Sequence, residues 1–168
     1  MPNAINIGIC QGMLPIVAYN YSAGNTERMK KTVNTARIWG LGISAVSILL
    51  LELLAAPVTR LFLSTSSGNA ETALLTVGFA ALFLRIRCLA SPVQFINYHT
   101  SYCMQAMGNG AGTLIHAVVR ELVFYIPMMF LLDSLFGEIG LASALVAGEA
   151  CGAIFALVLL NYLLRKRK

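Results

Sequence analysis

Five stretches of this chain are apolar over roughly the length of a membrane crossing or more and hold no more than two charged residues each: Ile5 to Tyr21, Ile38 to Leu63, Thr72 to Met107, Thr113 to Leu132 and Ile139 to Leu164. A helix needs about 20 such residues to cross the hydrocarbon, where each backbone polar group must be satisfied inside the segment itself. That confines the chain to an all-α, polytopic bundle of membrane helices. Composition agrees, because 58% hydrophobic against 11% charged residues falls well below the roughly 25% charge that covers a soluble domain.

Charge decides how the stretches are counted. Eight of the twelve basic residues form two clusters, Arg28/Lys30/Lys31/Arg37 and Arg165 to Lys168, whereas the seven acidic residues are scattered. Lys and Arg beside apolar runs are retained on the cytoplasmic side, so the net charge of +5 reads as membrane-flank charge and not as a nucleic-acid footprint. At about 1.5 Å per residue the Thr72 to Met107 stretch is too long for one crossing. Five spans leave both basic clusters on one side; six would separate them. The expectation is therefore five, with Thr72 to Leu84 lying at the outer interface and the crossing running from about Cys88 to Met107. Asn25 to Arg37 and the C-terminus are then cytoplasmic, in a multi-pass protein of the cell (inner) membrane. Met1 to Tyr21 has no basic residue, so no cleavable signal is expected. An odd count that starts outside reads as a chain incomplete at its N-terminus, and an open frame upstream of Met1 encoding about seven more spans would settle that.

Polar groups at membrane depth are costly unless they face protein or water. Arg87, Ser91, Gln94, Asn97, Ser101 and Gln105 step by three or four residues, with Tyr98 beside Asn97, and so share one helix face. One or two polar groups suffice to join helices, so a run this long favours the wall of a water-accessible cavity over interhelical bonding. Gln11, Pro15, Tyr19 and Ser22 repeat the pattern in the first span, with Asn20 alongside. Pro15, Pro92 and Pro127 each remove a backbone donor and interrupt a helix, which suits a protein that moves. Ala144, Gly148, Gly152 and Ala156 form a small-residue ridge for close helix packing. Next to it Glu149 is either paired or protonated, and Glu121 pairs with its neighbour Arg120; these three carry any ion pairing or protonation.

Enzyme chemistry finds little support. His99 and His116 lie on different helices without a carboxylate or cysteine at ligand spacing, and each reads as a hydrogen-bonded helix residue; no metal site is expected. Cys10, Cys88, Cys103 and Cys151 sit within apolar runs as packing residues.

The run from Gln11-Gly12 through Pro15, Tyr19-Asn20-Tyr21, Ala23 and Arg28 to Lys30-Lys31 resembles the signature that opens the eighth span of multidrug and toxic compound extrusion (MATE) transporters. Further matches follow in family order: Leu84-Arg85-Ile86 ahead of Pro92, Gln105-Ala106 with Gly108, Arg120, Ile126-Pro127, and Phe136-Gly137 with Gly140. Ala18 and Ser22 stand where the family has glycines, and Glu121 where a glutamine is common. The resemblance covers essentially the whole chain and implies spans eight to twelve of a twelve-span carrier. It also implies two lobes around a central cavity and export of cationic or amphipathic drugs by antiport against sodium or protons, without a cofactor. The lipid bilayer, a small drug or toxin and the missing N-terminal lobe would be its partners, with no nucleic acid. The first lobe and its coupling carboxylates are absent, so the isolated chain is expected to be inactive. The substrate cavity would be lined by Gln11, Tyr19, Asn20, Gln94, Asn97, Tyr98 and Gln105. Two other readings stand beside it: a lipid-linked precursor flippase of the same superfamily, or a non-transporting membrane scaffold.

Overall fold

The structure, a computed structural model, describes residues 2–63 and 70–165; most of the Ser64 to Ala70 connection and of the Arg165 to Lys168 cluster lies outside them. The described residues are helical apart from short turns, and no strand occurs among them. Helix α1 spans Pro2–Ser22, α2 Thr26–Leu63, α3 Ala70–Leu89 and α4 Ser91–Ala106. After a turn at Met107 to Asn109, α5 (Gly110–Val118) continues through a π-helical segment (Val119–Tyr125) into α6 (Ile126–Arg165).

The chain changes direction at two places with an identifiable cause. The chain bends by 41° between α3 and α4. The third stretch thus turns at Ala90, later than the Leu84 to Cys88 break expected from sequence. Pro92 then occupies the first turn of α4, where its missing N–H would be unpaired in any helix. Within α6, Gly137 has φ 58° and ψ −137°, a conformation open to glycine and strained for other residues. It divides α6 into residues 126–136, which complete the helix begun at Gly110, and residues 138–165, which return through the bundle. The same break separates the fourth and fifth apolar stretches. Pro127 follows directly on the π segment, where the Ile126 N–H reaches back to the Glu121 carbonyl and local re-registering absorbs the donor that proline lacks. Pro15 lies inside α1, which remains one continuous helix across it.

Helix α4 is the centre of the bundle, packed by α1, α2 and α6. This explains how a membrane helix can carry so many polar residues: its surroundings are protein. Phe95 and Met104 are fully buried on it. Glycine at position 40 lets α2 come close, because a Cβ there would fall 2.0 Å from the Phe95 ring. His99 Nε2 meets the Val33 carbonyl at 3.0 Å, fastening α4 to α2, and Asn6 Nδ2 donates to Ser44 Oγ at 2.9 Å between α1 and α2. The outward surface is the reverse of a soluble protein's. Leu53, Ile38, Phe130 and Ile154 are all largely exposed, as befits a bundle whose solvent is hydrocarbon.

Candidate functional site

The polar stripe of α4 meets the second half of α6 and the π segment in a buried cluster centred on Glu149. The Glu149 carboxylate accepts hydrogen bonds from two side chains and stands at ion-pair distance from a third. Asn97 Nδ2 donates to Oε2 at 2.6 Å and to the Glu149 backbone carbonyl at 2.9 Å, and Gln94 Nε2 donates to Oε1 at 3.2 Å. Arg120 Nη1 stands 3.8 Å from Oε2. Burying a carboxylate is tolerable only with such partners, and here two helices supply them. Sequence left Glu149 either paired or protonated, and here it lies among two amides and a guanidinium.

The chain of bonds continues behind Asn97. His116 Nε2 lies 3.2 Å from Asn97 Oδ1, and Ser101 Oγ lies 2.7 Å from His116 Nδ1. Asn97 Oδ1 can only accept, so His116 Nε2 donates to it, and in the neutral imidazole Nδ1 then accepts from the Ser101 hydroxyl. Every bond then runs in one direction, from Ser101 through His116 and Asn97 to the carboxylate. The sequence offered no sign of this, because His116 and Asn97 sit on different helices and no spacing rule joins them.

Arg120 links the cluster to the surface. Its Nη2 donates to Glu121 Oε1 at 2.6 Å, and its guanidinium lies 5.5 Å from the Tyr98 ring centroid, within reach of a cation–π contact. Glu121 is half-exposed, while Glu149 is almost entirely enclosed. Arg120 Nε is buried with no hydrogen-bond partner among the described residues. Space for the Arg120 stem comes from the small-residue ridge: a Cβ on Gly152 would fall 2.8 Å from Arg120 Cγ, and one on Gly148 3.0 Å from Tyr125 Cα. The ridge therefore serves this cluster as well as packing.

The seven residues expected to line one cavity do not share one surface. Gln94 and Asn97 are enclosed within the bundle, Tyr98 is half-buried under Arg120, and Gln105 is exposed at the end of α4. Gln11 and Tyr19 are exposed on α1, whereas Asn20 is buried and turns its amide back to the Ile16 carbonyl at 2.8 Å. Pro15, Tyr19 and Asn20 line an open groove of about 520 Å³ between α1 and the start of α2, with Arg28 at its edge. Among the described residues no group of His, Cys, Asp and Glu side chains is arranged to hold a metal ion.

Comparison with known proteins points in one direction. The MatE family profile matches residues 4–131. The chain is 28% identical over 166 residues to the "Multidrug export protein MepA" of Staphylococcus saprophyticus, covering 99% of this chain and 34% of that protein. It is 29% identical over 167 residues to the protein of the same name from Staphylococcus aureus, with the same coverage. The chain thus spans about a third of the length of these relatives. Among solved structures, the inward-facing conformation of a multidrug resistance MATE family transporter of the MOP superfamily superposes with a TM-score of 0.88 at 18% identity, over 98% of this chain and 37% of that one. The bent form of the Vibrio cholerae MATE transporter VcmN gives 0.82 at 17% identity with the same coverage. These two establish the likeness of fold.

Proposed function

This chain belongs to the MatE family, and from that premise we propose that it forms part of a carrier exporting cationic or amphipathic drugs in exchange for sodium ions or protons. Its matched relatives are about three times its length, so the activity is that of a complete carrier in which a further lobe closes the cavity. The isolated chain does not export. The basic run from Arg28 to Arg37 and the end of α6 lie at one end of the bundle, where Lys30 and Arg37 face Leu160 and Asn161, and this end is cytoplasmic.

The observation that carries the reading is the Glu149 cluster. With both acids and Arg120 ionised, Glu149 and Glu121 leave one negative charge in excess of the single guanidinium. A sodium ion or a proton neutralises that excess. Neutralisation weakens the hold of α6 on the α4 amides, and a carrier needs such a difference in cation affinity between its two states to drive exchange. The π segment that presents Arg120 and Glu121 is the joint at which the fourth span can adjust. Tyr98, Gln105, Gln11 and Tyr19 reach the surface and are the drug contacts, with Gln94 and Asn97 acting behind them by positioning Glu149.

The test is the drug profile of the complete carrier containing this segment, expressed in cells without other efflux pumps. Tyr98→Phe and Tyr19→Ala should re-order resistance across several cationic drugs at normal membrane abundance. The lipid-facing control Leu53→Ala should leave it unchanged. An unchanged profile for both tyrosine variants defeats the cavity assignment.

A further inference from the structure

At the basic end of the bundle α1, α2, α4 and α6 enclose a cleft of about 330 Å³ that the drug-export reading does not use. Its floor is apolar, formed by the buried Val17, Met29, Cys103 and Leu160, with the more exposed Leu157 at its edge. Its rim is not: Lys30, Asn34, Arg37 and Asn161 stand around it. Arg37 is half-buried, and neither it nor Lys30 has a carboxylate partner among the described residues. A half-buried guanidinium without a counter-ion leaves a planar set of donors suited to a phosphate.

The level of the cleft in the membrane follows from neighbouring side chains. Trp39 lies two residues beyond Arg37, and Tyr162 follows Asn161; both are largely exposed on the outer surface. Trp and Tyr collect at the headgroup boundary. The cleft therefore opens where lipid phosphates lie, with its floor toward the acyl chains. We propose that it binds an anionic phospholipid, the phosphate between Lys30 and Arg37 and the upper part of one acyl chain along Leu157 and Leu160. The two rim amides meet the polar headgroup. A cationic drug would be repelled by this rim, and a free anion would leave the apolar floor unfilled. The inference rests on the bundle lying in a membrane and is independent of which compound is exported.

The experiment uses the whole chain, purified in detergent, with native mass spectrometry reading bound lipid. Phosphatidylglycerol and phosphatidylcholine with matched acyl chains are the probes. Phosphatidylglycerol should be retained preferentially, and the pair Lys30→Gln/Arg37→Gln should reduce its apparent affinity by about tenfold or more, since each basic contact near a membrane contributes substantially to anionic lipid binding. The pair Arg28→Gln/Lys31→Gln changes the net charge equally but lies in a separate groove with Ile9 and Thr35. It should stay near the wild-type affinity. Equal losses for the two pairs, or no preference for phosphatidylglycerol, would overturn the proposal in favour of diffuse charge attraction. Should the first pair not remain monodisperse, Leu157→Trp decides. It crowds the apolar edge of the cleft without touching charge, so it should displace the lipid, and wild-type retention would overturn the site.

Discussion

Asn97 on α4 holds Glu149 on α6 twice, through the carboxylate at 2.6 Å and through the backbone carbonyl at 2.9 Å. One amide thus fixes both the position of a buried acid and the seam between two helices. Asn97→Leu keeps similar bulk but removes these donors and the acceptor for His116. Interhelical bonds in membranes average only about 0.6 kcal/mol. Here a buried carboxylate and a buried histidine lose a partner together, so the expected cost is about 1–3 kcal/mol. Detergent-induced unfolding of Asn97→Leu, Glu149→Gln and the double variant measures it. The two single losses should be strongly non-additive; simple addition would show that the pair is not coupled.

The second prediction concerns Gly152, whose missing Cβ leaves room for Arg120. Gly152→Ala places a carbon 2.8 Å from Arg120 Cγ, against the stem of the side chain and not its flexible end. Displacing the guanidinium should cost about 1–3 kcal/mol despite the better helix propensity of alanine. At Gly42 a Cβ meets nothing within 4 Å, and Gly42→Ala should be neutral or slightly stabilising. Thermal unfolding of the two variants side by side checks the difference. Equal behaviour would mean that the ridge does not restrain Arg120.

These two residues mark what was legible in the sequence. The apolar runs and their lengths gave an all-helical membrane bundle because lipid leaves a chain few alternatives, and the structure is of that class. The three- and four-residue step of the α4 stripe was also visible, since a helix period depends on one segment alone. What the stripe touches was not visible. Whether Asn97 faces a cavity or Glu149 depends on which helices neighbour α4, and α4 lies at the centre. The His116 link and the service of Gly152 to Arg120 are likewise contacts between helices, which no local period encodes. The break expected between Leu84 and Cys88 falls at Ala90 instead, because α3 continues through Arg85 and Arg87. Arg85 is paired with Glu52 on α2 at 3.2 Å, which lets the helix run on.

The third prediction is topological. The turns at Gly24 and Gly108 lie at the basic end of the bundle and the break at Gly137 at the other. Single cysteines placed at Asn25 and Asn109, in a background with the four native cysteines replaced by serine or alanine, should resist an impermeant thiol reagent applied to whole cells. One placed at Glu138 should react. Labelling of Asn25 from outside would reverse the orientation, and opposite sides for Asn25 and Asn109 would refute the packing of α4.

The central claim is that the Glu149 cluster couples a cation to drug movement, and reconstituted transport tests it most directly. The complete carrier containing this segment would be placed in proteoliposomes, and efflux of a fluorescent cationic drug followed under an imposed sodium or proton gradient. The wild type should respond to one of the two gradients. Glu149→Gln, which keeps the shape and loses the charge, should cut gradient-driven efflux by about tenfold or more at equal protein content, the equivalent of about 1.4 kcal/mol in the coupled step. Leu53→Ala should transport normally. Gradient-driven efflux by Glu149→Gln at the wild-type rate would contradict the account.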